Sequence, residues 1–166
     1  MISELESGKI KISSKPFNIV AVTQEVFDLL EIKAQKQGIT LQFDQEYGNI
    51  KVIGDLERIQ QVMVNLIVNA VKHSNKDNTV VTVSFKNNLH NVQISVQDNG
   101  QGISSEDQLR IFERFYRVDK SRNRKKGGSG LGLSIVKHIL DAHGEKIYVE
   151  SELNNGSTFF FNLKKI

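Results

Sequence analysis

Apolar positions recur at helical spacing in several segments of the chain. Between residues 19 and 37 the apolar side chains return about every 3.6 residues. Gly38 and Gly144 supply stop signals, and Asp55 and Ser104 are suited to cap the starts of helices. The predicted helices cover residues 19–37, the segment from Asp55 to about Ser74, residues 104–112 and residues 130–143.

Shorter runs alternate with period two, which predicts strands. These runs are residues 40–44, 50–53, 79–86, 91–98, 147–150 and 158–163. The turn Asn87-Asn88 joins one pair into a hairpin, and residues 154–156 join the last pair. Helices and strands interleave without regular βαβ alternation, so the predicted class is α+β, with helices covering one face of a sheet. Residues 1–15 are predicted to be a linker, and residues 16–166 one domain.

Composition narrows the range of functions. The chain has 166 residues, no cysteine and a net charge of +3. Disulfides and thiolate metal sites are thereby excluded, and no apolar run approaches the roughly 20 residues of a membrane span. The positive excess is concentrated in residues 120–126, a run that suits a solvated loop, nucleic acid, a lipid surface or a phosphate ester.

A glycine-rich segment, Gly127–Leu133, follows this basic run and opens the last helical pattern. Glycines let main-chain N–H groups approach an anion, and a helix start adds a positive dipole end. A P-loop is excluded because Leu133 follows the last glycine, and a dinucleotide fingerprint is disfavoured because no strand precedes Gly127. Nucleotide binding and an ordinary turn both remain open from this segment alone.

The helix after Asp55 carries an unusual polar face beside its apolar stripe. Asn65, Asn69 and Lys72 fall together on one side, although asparagine is a poor helix former. A carboxamide oxygen is a hard neutral ligand suited to Mg²⁺, and Lys72 can meet phosphates. The alternative is a polar face that bonds to a nearby loop. The apolar stripe comprises Ile59, Val62, Met63, Leu66, Ile67 and Ala70.

A carboxylate stands at the predicted end of a strand, in the segment Asp98–Ile103 with its two glycines. Such a carboxylate can accept a hydrogen bond from the exocyclic amine of adenine and would oppose the carbonyl of guanine. An unpaired buried group costs on the order of 1–3 kcal/mol, which is enough to discriminate bases. The alternative is a plain turn, since Asp-Asn-Gly favours turns.

An aromatic and cationic cluster, residues 112–117, lies between that turn and the glycine-rich segment. Its aromatics can anchor a segment while Arg117 forms a forked contact with a phosphate. Alternatively, Phe112 and Phe115 only pack on the core.

In order along the chain, Asn65–Ser74, Asp98–Ile103, residues 112–117 and residues 128–133 resemble the N, G1, F and G2 boxes of bacterial sensor histidine kinases. The resemblance extends from Pro16 through the ending Gly156-Ser157-Thr158-Phe159. It implies the Bergerat-type ATP-binding fold shared with gyrase, heat-shock chaperone and mismatch-repair ATPases. That fold is a two-layer sandwich in which a mixed, mostly antiparallel sheet is backed by about three helices.

The resemblance also implies roles for individual residues. Asn69 is expected to hold Mg²⁺, Asp98 to bind adenine and residues 118–127 to form a lid. The residues expected to act in catalysis are Asn65, Lys72 and Arg117. The residues expected to contact ATP are Asn65, Asn69, Lys72, His73, Asp98, Gly100, Gly102, Ile103, Arg117, Gly128, Ser129, Gly130, Leu131, Gly132, Leu133 and Thr158.

Two positions depart from the family pattern. His73 stands where the family often has an aromatic residue that flanks the nucleotide. Glu145 stands where a second glycine usually follows Gly144, which puts the geometry of that turn in doubt.

A phosphoacceptor histidine in its family setting is absent, because His73, His90, His138 and His143 all lack it. His138 and His143 are expected to have structural or helix-dipole roles. The chain is therefore expected to bind Mg-ATP and to need a separate histidine-bearing dimerisation domain for phosphoryl transfer.

The resulting hypothesis is a protein-histidine kinase catalytic domain, monomeric by itself, from a homodimeric and membrane-anchored bacterial sensor with its kinase on the cytoplasmic side. A response regulator would act downstream, and nucleic-acid binding is not expected. The alternatives are a same-fold ATPase, an anti-sigma-type serine kinase and a nucleotide-binding module without transfer chemistry.

Overall fold

The computed structural model describes residues 10–74, 78–114, 116 and 132–166. In chain order, its elements are β1 (Lys15–Asn18), α1 (Ile19–Lys36), β2 (Thr40–Phe43), β3 (Lys51–Gly54), α2 (Leu56–Lys72), β4 (Val80–Asn87), β5 (Asn91–Asp98), α3 (Ser105–Gln108), α4 (Gly132–Ala142), β6 (Tyr148–Ser151) and β7 (Ser157–Lys165).

One sheet of seven strands runs through the molecule in the order β1-β3-β7-β5-β4-β2, and β6 also pairs with β7. Strands β2 and β4 are parallel, and every other described pair is antiparallel. The sheet is therefore mixed and mostly antiparallel, as expected. Both predicted hairpins are confirmed, because β4 pairs with β5 and β6 pairs with β7.

The helices cover one face of this sheet. Along β5, buried Val92, Ile94 and Val96 alternate with more exposed residues, which is the pattern of a strand with one covered face. Strand β7 shows the same alternation with Phe159 and Phe161. The predicted α2 stripe is confirmed: Ile59, Val62, Met63, Leu66, Ile67 and Ala70 are all buried. The two-layer α+β architecture is therefore the observed one.

Side-chain and glycine caps define the helix ends. Asn18 caps α1 by accepting from the N–H of Val20 at 3.1 Å, and Asp55 caps α2 as predicted. At the end of α4, Gly144 has a φ of 72°, and the Glu145 N–H donates to the Leu140 carbonyl at 2.8 Å. This is a Schellman turn, in which only the glycine position requires left-handed backbone. Glu145 therefore fits the turn that its sequence put in doubt.

The predicted domain, which starts at Pro16, begins with a strand that the sequence pattern did not indicate. β1 begins at Lys15 and pairs with β3, so Pro16 lies in a strand at the edge of the sheet, where a missing N–H is tolerated. Ahead of it, Ile10 packs against the core and the Ser13 N–H donates to Asp55 at 3.0 Å. Residues 10–14 thus lie against the domain.

The short helix is also shorter than predicted. Ser104 caps α3 as expected, but the helix ends at Gln108 instead of reaching Phe112. Beyond it, Arg110 and Glu113 donate their N–H groups to carbonyls three residues earlier, so the chain continues in tight turns.

Candidate nucleotide-binding site

Helix α2 presents its polar side chains as a row beside the buried stripe. Asn65, Asn69 and Lys72 are spaced four and three residues apart and are all half-buried. Within the described part of the chain, neither carboxamide of Asn65 or Asn69 has a side-chain hydrogen bond. For these two asparagines, the described residues show no side-chain bond to a nearby loop. These amides are available to an oxygen-rich ligand or its counter-ion.

A buried carboxylate ends strand β5. Asp98 is only 5% exposed, and its Oδ1 accepts from the Gly100 N–H at 2.8 Å. Burial raises the pKa of Asp98 above its ordinary value, and hydrogen bonds from the main chain of Gly100 and Ser157 partly offset that rise. The loop holds this carboxyl in place with main-chain donors. Its side chain is thus fixed as an acceptor on the helix-covered side of the sheet.

The loop after Asp98 approaches two other segments too closely for any side chain at its glycines. A Cβ on Gly100 would lie 2.7 Å from the carbonyl oxygen of His73. Gly102 has a φ of 74°, and a Cβ there would lie 2.1 Å from the carbonyl oxygen of Glu152. The two predicted glycines are therefore required by the packing of the loop between α2 and the β6–β7 turn.

Ile103 closes this loop. Its side chain is 6% exposed and belongs to the core, and its N–H donates to the Ser151 hydroxyl at 2.7 Å. Among the described contacts, no other N–H of this loop donates to Ser151. The Ser151 hydroxyl itself donates to the Gly156 carbonyl at 2.9 Å. Ile103 thus anchors the loop on β6.

His73 joins the polar row of α2 to the Asp98 loop. It is the C-cap of α2, and its carbonyl accepts from the Gln101 N–H at 3.4 Å. Its Nδ1 lies 3.1 Å from the Gln101 side-chain nitrogen. The structure therefore brings His73, at the end of α2, into contact with the Asp98 loop, although 25 or more residues separate the two segments in sequence.

Thr158 is not brought to the same place. It pairs with Gln97 across the β5–β7 ladder, whereas Asp98 pairs with Ser157. Adjacent residues of a strand point to opposite faces, so Thr158 lies on the face away from Asp98. Ser157 is buried beside Asp98, and its hydroxyl lies 2.7 Å from that of Ser151. Ser157 was not predicted as a site residue, although the alternation of β7 places it on the same face as buried Phe159 and Phe161.

The remaining predicted residues fall into two groups. Gly132 is exposed at the start of α4, and Leu133 packs against the core. Arg117, Gly128, Ser129, Gly130, Leu131 and the lid, residues 118–127, lie outside the described residues.

The aromatic cluster before the lid has a packing role. Phe112 meets Phe159 edge-to-face with ring centroids 6.2 Å apart. Tyr116 donates its hydroxyl proton to Asp107, and the Arg110 guanidinium lies 4.6 Å from the centre of the Tyr116 ring. Phe112 therefore packs on the core, a contact that both interpretations of this cluster include.

His143 has the structural role expected of it. Its Nδ1 lies 2.8 Å from the Ile139 carbonyl, and its Nε2 accepts from the Asp55 N–H at 3.0 Å. The ring thereby ties the end of α4 to the start of α2. A Cβ on Gly54 would approach this ring to 3.3 Å, so the neighbouring glycine makes room for it.

The described residues include neither a cluster of metal-binding side chains nor a helix suited to cross a membrane. In the described ranges, no group of three or more His, Cys, Asp and Glu residues is placed to hold a metal ion. None of the helices in those ranges combines the length and hydrophobicity that a bilayer crossing requires. Metal binding at the α2 row would therefore depend on amide oxygens together with oxygens of a ligand.

Known proteins are similar to this chain in sequence and fold. Residues 54–166 match the family of histidine kinase-, DNA gyrase B- and HSP90-like ATPases. The signal transduction histidine-protein kinase BarA of Escherichia coli (strain K12) is 35% identical over 170 residues, which cover 97% of this chain and 18% of BarA. The chain thus spans less than a fifth of that relative.

Solved structures give the same result. The nucleotide-free catalytic domain of histidine kinase ThkA is 32% identical with a TM-score of 0.78, covering 92% of this chain and 98% of that domain. Full-length ShkA in complex with AMPPNP is 28% identical with a TM-score of 0.84, covering 99% of this chain and 34% of ShkA. ThkA in complex with response regulator protein TrrA is 28% identical with a TM-score of 0.79, covering 99% and 46%. The chain therefore belongs to the histidine kinase-, DNA gyrase B- and HSP90-like ATPase family, as an ATP-binding catalytic domain of the sensor histidine kinase type.

Proposed function

We propose that this chain binds Mg-ATP and transfers the γ-phosphoryl group to a histidine on a separate dimerisation domain. The observation that carries the proposal is the meeting of two polar elements at His73. The polar row of α2 ends there, and the loop that follows buried Asp98 hydrogen-bonds to the same residue. The proposed phosphate-binding groups and the proposed base-binding group thus belong to two segments that contact each other at His73.

Asp98 is proposed to select adenine. Its carboxylate is held by a main-chain donor and is shielded from water, so it presents a fixed acceptor. The exocyclic amine of adenine can donate to it, whereas guanine has a carbonyl oxygen at the corresponding position. The AMPPNP complex of ShkA, a protein 28% identical to this chain, supports an adenine nucleotide as the ligand.

The α2 row is proposed to serve the phosphates and their magnesium ion. The carboxamide of Asn69 is a hard neutral donor without a described partner, which fits an ion that takes most of its other ligands from phosphate and water. When bound, the ion neutralises charge on the phosphates. Asn65, Lys72 and Arg117 are proposed to position the phosphates and to stabilise the charge that develops on transfer.

The rest of the signalling pathway is proposed from the relatives. BarA is a histidine-protein kinase, and ThkA has been solved with a response regulator, so a histidine acceptor and a response regulator are the proposed partners here. A homodimeric complete protein and a membrane anchor outside this chain belong to the same proposal. Nucleic acid is not among the proposed partners.

A reconstitution experiment tests the transfer. The chain is mixed with ATP labelled at the γ-phosphate and with a separately purified dimerisation domain of the same kinase. The expected product is label on that domain which is lost in acid and retained in alkali, as phosphohistidine behaves. The Asn69→Ala variant is the matched control and should leave the acceptor unlabelled.

Other outcomes assign the alternatives. Acid-stable label would indicate a serine acceptor, and release of labelled phosphate without any labelled protein would indicate an ATPase. ATP binding with neither product would indicate a nucleotide-binding module. Each of these results contradicts the proposed transfer to histidine.

A further inference from the structure

The residue between the two loop glycines makes more contacts than a turn requires. The Gln101 N–H donates to the His73 carbonyl, and the Gln101 carbonyl accepts from the Asn154 N–H at 2.7 Å. Any residue could make these two main-chain bonds. The side chain adds a third contact, 3.1 Å from its amide nitrogen to Nδ1 of His73. That contact needs a carboxamide.

This contact fixes the imidazole ring. A neutral imidazole has one donor and one acceptor nitrogen. When the Gln101 amide donates to Nδ1, the ring proton is held on Nε2. If the Gln101 carboxamide is flipped by 180°, its oxygen accepts a hydrogen bond from Nδ1–H. In both arrangements the ring has one orientation relative to the Asp98 loop.

The position of the ring gives this restraint a function. His73 directly follows Lys72 on α2, and its carbonyl packs against Gly100, two residues beyond Asp98. The imidazole therefore lies at the junction between the end of α2 and the Asp98 loop. A flat ring at that junction can stack on the nucleotide, provided that it does not rotate away.

We infer that Gln101 is a positioning residue of the nucleotide site, which holds the His73 imidazole in a single orientation against the bound adenine nucleotide. The inference rests on the proposed function, because it requires that the site takes ATP. It assigns Gln101 no direct contact with the nucleotide.

Calorimetric titration with Mg-ATP tests this role. Gln101→Ala and Gln101→Met both remove the carboxamide, and the methionine variant retains the length of the side chain. Each should weaken ATP binding about three- to tenfold, the range expected for one lost hydrogen bond. Gln97→Ala is the matched control, since Gln97 is exposed on β5 and should leave the affinity unchanged.

A double-mutant cycle shows whether Gln101 acts through the ring. In a His73→Ala background, Gln101→Ala should have no further effect on ATP affinity. Nitrogen-15 NMR of the His73 imidazole in alkaline buffer supplies an independent readout. The Nδ1 resonance should shift in both Gln101 variants relative to the parent chain, because Nδ1 loses its hydrogen bond to the carboxamide.

The results separate this inference from the proposed function. If the parent chain binds no ATP, the proposed function fails before Gln101 is tested. If the parent binds ATP and the Gln101 variants bind it equally well, the positioning role is wrong. It is also wrong if Gln101→Ala weakens binding equally with and without the His73 ring, or if the Nδ1 resonance of His73 is unchanged in both variants.

Discussion

Replacing Asp98 by asparagine removes one acceptor from the proposed adenine pocket while changing the shape of the side chain very little. The asparagine oxygen can keep the 2.8 Å bond from the Gly100 N–H, so the loop should remain folded. Its NH₂ group then occupies the position of the second carboxylate oxygen and faces the adenine amine, donor against donor. Because residue 98 is 5% exposed, water cannot enter to relieve the mismatch.

The expected loss follows from this burial. An unsatisfied buried polar group costs about 1–3 kcal/mol, and the exclusion of water favours the upper part of that range, about 2–3 kcal/mol. The dissociation constant for ATP should therefore rise roughly 30- to 150-fold. The guanine carbonyl would gain a donor, so affinity for GTP should hold or improve.

Isothermal titration with Mg-ATP and Mg-GTP measures both effects. Asp141→Asn is the matched control, because Asp141 lies on the surface, 51% exposed, in an ion pair with Lys137. It should leave both affinities unchanged. An Asp98→Asn variant with the parent's ATP affinity, or a parent chain that binds GTP as well as ATP, would refute the role of this carboxylate.

Three further predictions concern the metal, the backbone and pH. Asn69→Ala should abolish the magnesium dependence of ATP affinity and leave the circular dichroism spectrum unchanged; retained dependence would contradict the metal assignment. Gly102→Ala should lower stability by about 3 kcal/mol or more, roughly 6–12 °C in thermal melts, because its Cβ would strike the Glu152 carbonyl at left-handed φ. Gly48→Ala is the control, because the space around Gly48 is open, and it should change stability by no more than about 0.5 kcal/mol. Equal melting temperatures of Gly102→Ala and Gly48→Ala would disprove the clash at Gly102. Burial raises the pKa of Asp98 in the folded state, so the folded protein binds the Asp98 proton more tightly than the unfolded chain does. The stability that this proton contributes is complete below about pH 4 and is lost as pH rises through the folded pKa. Denaturation at a series of pH values should show this loss in the parent and not in Asp98→Asn.

Helix α2 is the element that the sequence predicts most closely, because its signals are local. Asp55 caps its start, and a 3.6-residue apolar period continues for 17 residues. Both features lie within one segment and reinforce each other. The polar row beside the stripe could be recognised for the same reason.

Strand β1 shows the opposite case. It has four residues, includes Pro16 and lacks a readable alternation. Its partner β3 lies more than 30 residues away, and the strand forms only through that pairing. Pattern analysis of one segment has no access to such a contact.

The same distinction between local signals and long-range contacts applies to the candidate site. Asn69 and Asp98 were identified from their local motifs, but the contact between their two segments depends on the packing of His73 against Gly100. Thr158 was taken from a motif at the start of β7, and the strand register places its neighbour Ser157 beside Asp98 instead. A shift of one residue reverses the face in a strand, so register decides what a motif alone leaves open.

The exposed turn between β6 and β7 looks like a convenient place for a fluorescent label, an inserted peptide or new chain termini. Its carbonyl at Glu152 nonetheless rests on Gly102, and its N–H at Asn154 holds the Gln101 carbonyl. A tag grafted there would disturb nucleotide affinity from a distance. The tip of the β4–β5 hairpin, where Leu89 is 83% exposed, is the better attachment point for biosensor engineering.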